Sequence, residues 1–220
     1  LCLMNMAVHG LTGVIQSGDE ANSFYHDAHN LDGCCDYVMA NPPFNLKGWR
    51  GEDELLDDPR WHGYTVPRSA NANYAWILHM ISKLDVNHGI AGFLLANGAL
   101  NDPDEYDNRK QLLLNDKVEA IIVLPRDMFY TNDISVTLWI VNMNKKAGTL
   151  NGRQLRDRRG EILFMDLRAW NSNVEEIVID KGKKKKKVVL TDAQIAEVYE
   201  KARTVDGSRL YCFDHRTDLF

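Results

Sequence analysis

No stretch of the 220-residue sequence approaches the ~18–20 consecutive apolar residues that a membrane-crossing helix needs, and no signal-peptide pattern stands at its start. Cysteine is scarce. The four residues Cys2, Cys34, Cys35 and Cys212 form no Cys-x-x-Cys pair, which argues against a disulfide framework and predicts a reducing, cytoplasmic setting. The seven histidines are scattered, with no His, Cys and carboxylate spacing that suits a metal, so no metal site is expected. No Ser/His/Asp arrangement suggests an activated side-chain nucleophile, and no internal repeat is visible. At 45% hydrophobic and 26% charged residues, the composition also excludes disorder, collagen and coiled coil. The chain starts at Leu1 within an apolar run (Leu1, Leu3, Met4, Met6), which reads as a piece of a longer protein, with Met4 and Met6 either in the core or on a surface that packs on the upstream part.

The net charge of −5 hides an asymmetry. Residues 145–187 carry 13 Lys and Arg against 6 Asp and Glu, while the rest carries 13 against 25. The body is therefore no general attractor of polyanions, although the basic segment is a local one.

Apolar runs without polar alternation, at Cys35–Ala40, Gly89–Ala96, Val118–Leu124 and Ser135–Met143, read as strands covered on both faces. Tyr74, Ile77, Leu78, Ile81 and Leu84 recur at helical spacing. Asp102-Pro103 with Glu105 predicts a capped helix running toward Asn115, and Thr191 with Gln194 another through about Arg203, with Ile195, Val198, Tyr199 and Ala202 on one face. A further strand is expected around Glu161–Leu167. Alternation of strand and helix implies an α/β fold with a mainly parallel sheet. The expected division is a body over residues 1–150 and a small extension over 151–220. The run Lys183–Lys187 reads either as a solvated mobile loop or as a phosphate contact.

The sharpest motif is Asn41-Pro42-Pro43-Phe44, directly after the strand Asp36–Ala40. In open α/β sheets, ligands bind beyond the carboxyl ends of strands. Prolines fix φ and donate no N–H, leaving their carbonyls as acceptors, Asn41 adds an amide oxygen, and Phe44 adds a flat apolar face. Two acceptors beside an aromatic platform suit a planar base with an exocyclic amino group. The segment from Pro42 to Arg68 is too long for a plain connection, and its Lys47, Arg50, Arg60 and Arg68 are candidates for DNA backbone contacts. Trp49 and Trp61 read as anchors of that loop rather than as base contacts.

Asn41-Pro42-Pro43-Phe44 resembles the site of the amino-methyltransferases that modify adenine N6 in DNA. The likeness runs on through Ile15-Gln16-Ser17-Gly18-Asp19, Arg60-Trp61-His62-Gly63-Tyr64, Asn71-Ala72-Asn73-Tyr74-Ala75-Trp76-Ile77, Gly92-Phe93-Leu94-Leu95-Ala96-Asn97-Gly98, Ile121-Ile122-Val123-Leu124-Pro125 and Met128-Phe129-Tyr130. In that order the segments resemble the methylation subunit of type I restriction-modification systems. The resemblance implies a Rossmann-like methyltransferase sheet, mainly parallel with its last strand antiparallel, of which this chain holds the C-terminal half. It implies S-adenosylmethionine as cofactor, with Asp19 near the cofactor's adenine and Asn41 beside its methyl group. It implies that Asn41 and the Pro42 carbonyl accept both amino hydrogens of a flipped-out adenine, with Pro43 shaping the turn and Phe44 stacking on the base. It further implies DNA, a specificity subunit and a restriction subunit as partners. Two alternatives remain at this point: the same chemistry on cytosine N4 or a protein glutamine, and a non-catalytic module that docks the other subunits. No G-x-G pattern precedes Asn41, so the glycine-rich cofactor loop of these enzymes is expected to lie upstream of this chain.

Overall fold

The computed structural model describes residues 2–129, 133–150, 152–178, 182–204 and 211–212. Strand β1 (Tyr37–Ala40) leads through helix α2 (Asn73–Lys83) to strand β2 (Ile90–Ala96), after a short helix α1 (Cys2–Val8) that buries none of its residues. Helix α3 (Tyr106–Leu114) then connects β2 to β3 (Val118–Val123), which is followed by β4 (Val136–Asn142). Strand β1 pairs parallel with β2, whereas β4 lies antiparallel between β2 and β3. The reason is connectivity. A helical crossover returns the chain to the start of the sheet and gives parallel neighbours, and among the described residues no helix separates β3 from β4. The expected mixture, mostly parallel with an antiparallel last strand, is what forms.

The sheet continues past residue 150. After the two-stranded ribbon of β5 (Gly148–Leu150) and β6 (Arg153–Leu155), strand β7 (Glu161–Asp166) pairs parallel with β3 and joins the body's sheet. Strands β8 (Val174–Val178) and β9 (Lys184–Val188) form a separate antiparallel hairpin, followed by helix α4 (Asp192–Thr204) and a short strand β10 (Tyr211–Cys212) that pairs with β7. The lysine run is thus a strand, not a loop.

Local chemistry accounts for most of the boundaries. Asp102 caps a single tight turn, Pro103–Glu105, by accepting from the Asp104 N–H, and α3 follows at Tyr106. Glu105 does not close the anticipated capping box, because its carboxylate is buried and accepts from the Asn108 side chain (2.7 Å) and the Arg68 N–H (3.2 Å). Thr191 and Gln194 do form the reciprocal pair: the Gln194 N–H donates to the Thr191 hydroxyl and the Thr191 N–H to the Gln194 amide oxygen. On α4, Val198 packs on the core with Trp170, while Ile195 and Tyr199 stay largely exposed.

The core lies between α2 and the sheet, where Tyr74, Ile77 and Leu78 meet Phe93, Leu95 and Val141. The Phe93 and Trp139 rings stack across the β2–β4 pair at 6.3 Å. Behind β3, Lys145 is buried with its ammonium donating to Asp116 (2.5 Å) and to the carbonyls of Val118 (3.0 Å) and Glu161 (2.6 Å). That cage ties the end of β4 to β3 and β7.

Candidate active site

Strand β1 ends at Ala40, and the next four residues leave the sheet's carboxyl edge. Asn41 is exposed, Pro42 buried, Pro43 exposed and Phe44 half-buried. Among the described residues the Asn41 carboxamide makes no hydrogen bond, so its oxygen is available to a ligand. Asn41 and Pro42 line a cleft of about 280 Å³ whose other walls include Ser23, Trp76, His79 and Lys83. Phe44 does not line that cleft. Its ring instead meets Phe129 edge to face, at 6.4 Å and 70°. Phe129 belongs to the segment Met128-Phe129-Tyr130; Tyr130 lies outside the described residues.

The turn after Phe44 is held from behind by α2. Asn45 has a φ of 53°, a left-handed conformation that asparagine tolerates better than most residues. Its N–H donates to the Asn73 side chain (3.0 Å), and its own side-chain oxygen accepts from the Asn73 amide (2.9 Å). Next along, the Ala72 N–H donates to the Leu46 carbonyl (2.9 Å). Asn73 is 3% exposed, so the half of this lock that α2 supplies is buried, while Asn45 faces solvent. Sequence reasoning placed Asn71-Ala72-Asn73 in the series of motifs without a role. The recurrence of asparagine at Asn45, Asn71 and Asn73 was the available signal, since adjoining amides can satisfy one another.

Two of the four cations expected to touch DNA are committed elsewhere. The half-buried Arg60 guanidinium grips Asp58 with two hydrogen bonds (2.7 and 2.6 Å). It also donates to the carbonyls of Ser23 (3.0 Å) and Phe24 (2.6 Å) and meets His79 Nδ1 at 3.1 Å. It lies over the Trp61 ring as well. Burial raises the Asp58 carboxyl, but the Arg60 guanidinium and N–H outweigh it and hold the group below its ordinary range. Arg50 is spent on the carbonyls of Gly51 and Glu52 (2.7 Å each) and Pro67 (3.0 Å), and so closes its own loop. Both guanidinium groups thus already hold partners within the chain. Arg68 is partly exposed and pairs with Asp104. Lys47 is exposed. Trp49 and Trp61 are anchors as expected: both are buried, and their indole N–H groups donate to the carbonyls of Arg68 and Leu55.

The cleft wall carries two perturbed groups. His79 is pushed down to about 4 by burial and by the Arg60 and Lys83 charges, so it is neutral near pH 7 and accepts from Arg60. Burial lowers Lys83, but Asp27 (2.7 Å) and Asp32 outweigh it and keep the ammonium charged. Asp19 is exposed and opens a short turn (Asp19–Ala21) after Gly18, whose φ of 90° suits glycine. The same segment runs on to Ser23 in the cleft wall. Among the described residues, no group of three or more His, Cys, Asp or Glu is placed to hold a metal ion, and no helix is long and apolar enough to cross a membrane.

Comparison with known proteins gives a consistent answer. The chain is 40% identical over 170 residues to the type I restriction enzyme HindI methylase subunit of Haemophilus influenzae, covering 76% of this chain and 35% of that protein. It is 33% identical over 212 residues to the MjaIX methylase subunit of Methanocaldococcus jannaschii, covering 94% and 34%. The chain therefore spans about a third of the length of these relatives. The crystal structure of the type I restriction-modification methyltransferase subunit from Streptococcus thermophilus has the same fold, with a TM-score of 0.68 at 24% identity over 94% of this chain and 40% of that one. The model of the N-6 DNA methylase family matches residues 1–218, and the chain belongs to that family.

Proposed function

We propose that this chain carries the target-base side of a DNA adenine-N6 methyltransferase, the modification subunit of a type I restriction-modification system. The observation that supports this best is the unpartnered Asn41 carboxamide at the carboxyl end of β1, beside Pro42 and close in sequence to the Phe44–Phe129 ring pair. The lone pair of adenine N6 is delocalised into its ring, so the free amine is a poor nucleophile. Asn41 Oδ1 and the Pro42 carbonyl accept its two hydrogens, which favours a pyramidal nitrogen with its lone pair localised. Pro43 keeps the turn rigid, and the asparagine lock behind it keeps both acceptors in place, so that positioning supplies much of the rate. Extruding the base costs a few kcal/mol of unstacking, and stacking against Phe44 returns about 1–3 kcal/mol. Phe129 gives that platform a second wall.

S-adenosylmethionine is the methyl donor in this reading. The residues present fit one side of it: Asn41 offers an unpartnered amide to the sulfonium end, and Asp19 an exposed carboxylate to the adenosine end. The cofactor supplies an electrophilic methyl group. The chain's own residues orient the amine and accept its hydrogens. Residues 1–150 form most of the methyltransferase body, and 151–220 are an extension that adds strand β7 to its sheet. Sequence recognition and cleavage are assigned to specificity and restriction subunits, and DNA is the substrate.

The test is product identification. The complete protein with its specificity partner, given labelled S-adenosylmethionine and unmethylated duplex, should yield N6-methyladenine on nucleoside digestion. N4-methylcytosine would overturn the adenine assignment, and no label in DNA would favour a docking module instead.

A further inference from the structure

The lysine strand lies beside the aromatic pair. Val188, at the end of β9, donates its N–H to the Asp127 carbonyl (2.9 Å). The Lys185 ammonium pairs with Asp133 (2.5 Å) and reaches the Phe129 carbonyl (3.4 Å). Strand β9 is therefore fastened to the segment that carries Phe129, whose ring meets Phe44. Side chains alternate along a strand, and the burial follows: Lys185 and Lys187 are half-buried, while Lys184 and Lys186 are exposed on the opposite face, about 6.6 Å apart. Lys183 precedes them and is exposed too. The acidic partners on β8 are Glu175, opposite Lys187, and Glu176, opposite Lys186. The two paired strands thus hold four lysines against two glutamates. Among the described residues that face holds one ion pair, Lys184 with Glu176 at 3.0 Å, and both side chains are exposed, so the pair itself contributes little.

We infer that the exposed face of β9, through Lys184 and Lys186, binds the DNA backbone that flanks the extruded base. The inference rests on the proposed function, because it takes the Phe44–Phe129 pair to mark where the base leaves the duplex. A duplex there must run past the site with one phosphate charge about every 3.4 Å along each strand, and β9 is a short rail of cations anchored at that point. A strand holds its charges in fixed register, unlike a loop, so it contributes positioning as well as attraction.

The experiment measures duplex affinity against salt, using the complete protein with its specificity partner. The variants are Lys184→Gln/Lys186→Gln, Lys184→Arg/Lys186→Arg and, as a charge-matched control elsewhere, Arg159→Gln/Arg168→Gln. Each lost phosphate contact lowers the slope of log K against log salt by about 0.9, so the glutamine pair should flatten it by about 2 and weaken binding by one to two orders of magnitude near ~0.1 M salt. The arginine pair and the control should keep the wild-type slope. A glutamine pair with the wild-type slope overturns the inference, as does a control that flattens it equally. Duplex that is bound but never methylated by the wild type would instead sink the proposed function, with the slopes still deciding the role of β9.

Discussion

Acid should weaken this chain through His79 in a defined window. Its imidazole has an ordinary value of 6.5 and is pushed down to about 4 by burial first, then by the Arg60 and Lys83 charges. Because the folded value is the lower one, the unfolded chain takes up this proton first as pH falls. The contribution to stability is whole above 6.5, shrinks between 6.5 and about 4, and is gone below that. Linkage gives a loss of about 2 kcal/mol near pH ~5 and about 3 kcal/mol near pH ~4. Asp27 and Asp58, two of the nearby carboxylates, both sit below their ordinary 3.8, so they titrate beneath this window. Urea unfolding at neutral pH and at about pH 5, for wild type and His79→Gln, isolates the histidine. Glutamine keeps an acceptor for Arg60 but cannot titrate. The wild type should lose about 2 kcal/mol more than the variant over that interval. Equal losses would mean that His79 is not held neutral by its surroundings, and the description of the cleft wall would fail with it.

Other perturbations address the frame and the site. Lys145→Met leaves the Val118 and Glu161 carbonyls and the Asp116 carboxylate without their donor, and should cost about 3 kcal/mol in equilibrium unfolding. Arg60→Met should cost a similar ~3 kcal/mol, seen as a lowered melting temperature, while the salt slope of DNA binding stays that of the wild type, since Arg60 faces inward. Phe44→Ala should cut the fluorescence rise of a 2-aminopurine placed at the target position, with melting little changed, because the ring is only half-buried.

Strands β1 to β4 were legible because each lies in a mainly apolar run, and the site was legible because Asn41-Pro42-Pro43-Phe44 follows one of them. What escaped was set by pairing at a distance. Strand β7 joins β3 through backbone bonds that no periodicity announces. The lysine run becomes a strand because Val174–Val178 pairs with it and sets Glu176 opposite Lys186, a cross-strand match invisible to one-dimensional reading. The internal partners of Arg50 and Arg60 escaped for a related reason. A sequence shows a cation but not whether carbonyls converge on it, and only the nearby Asp58, two residues before Arg60, hinted at an internal partner. The function was clearer than the interface, since two prolines and an amide specify a chemistry whereas a positive charge specifies little.

In the proposed reaction Asn41 acts on the reacting amine and not on the fold. Single-turnover methyl transfer by the complete protein, comparing wild type with Asn41→Ala on a bound duplex, tests it most directly. Losing one positioned acceptor should slow transfer by about 10²–10³-fold or more. Because the side chain is exposed and unpartnered among the described residues, stability should stay within about 0.5 kcal/mol of wild type. Transfer within about tenfold of wild type, less than ~1.4 kcal/mol of barrier, would contradict the account.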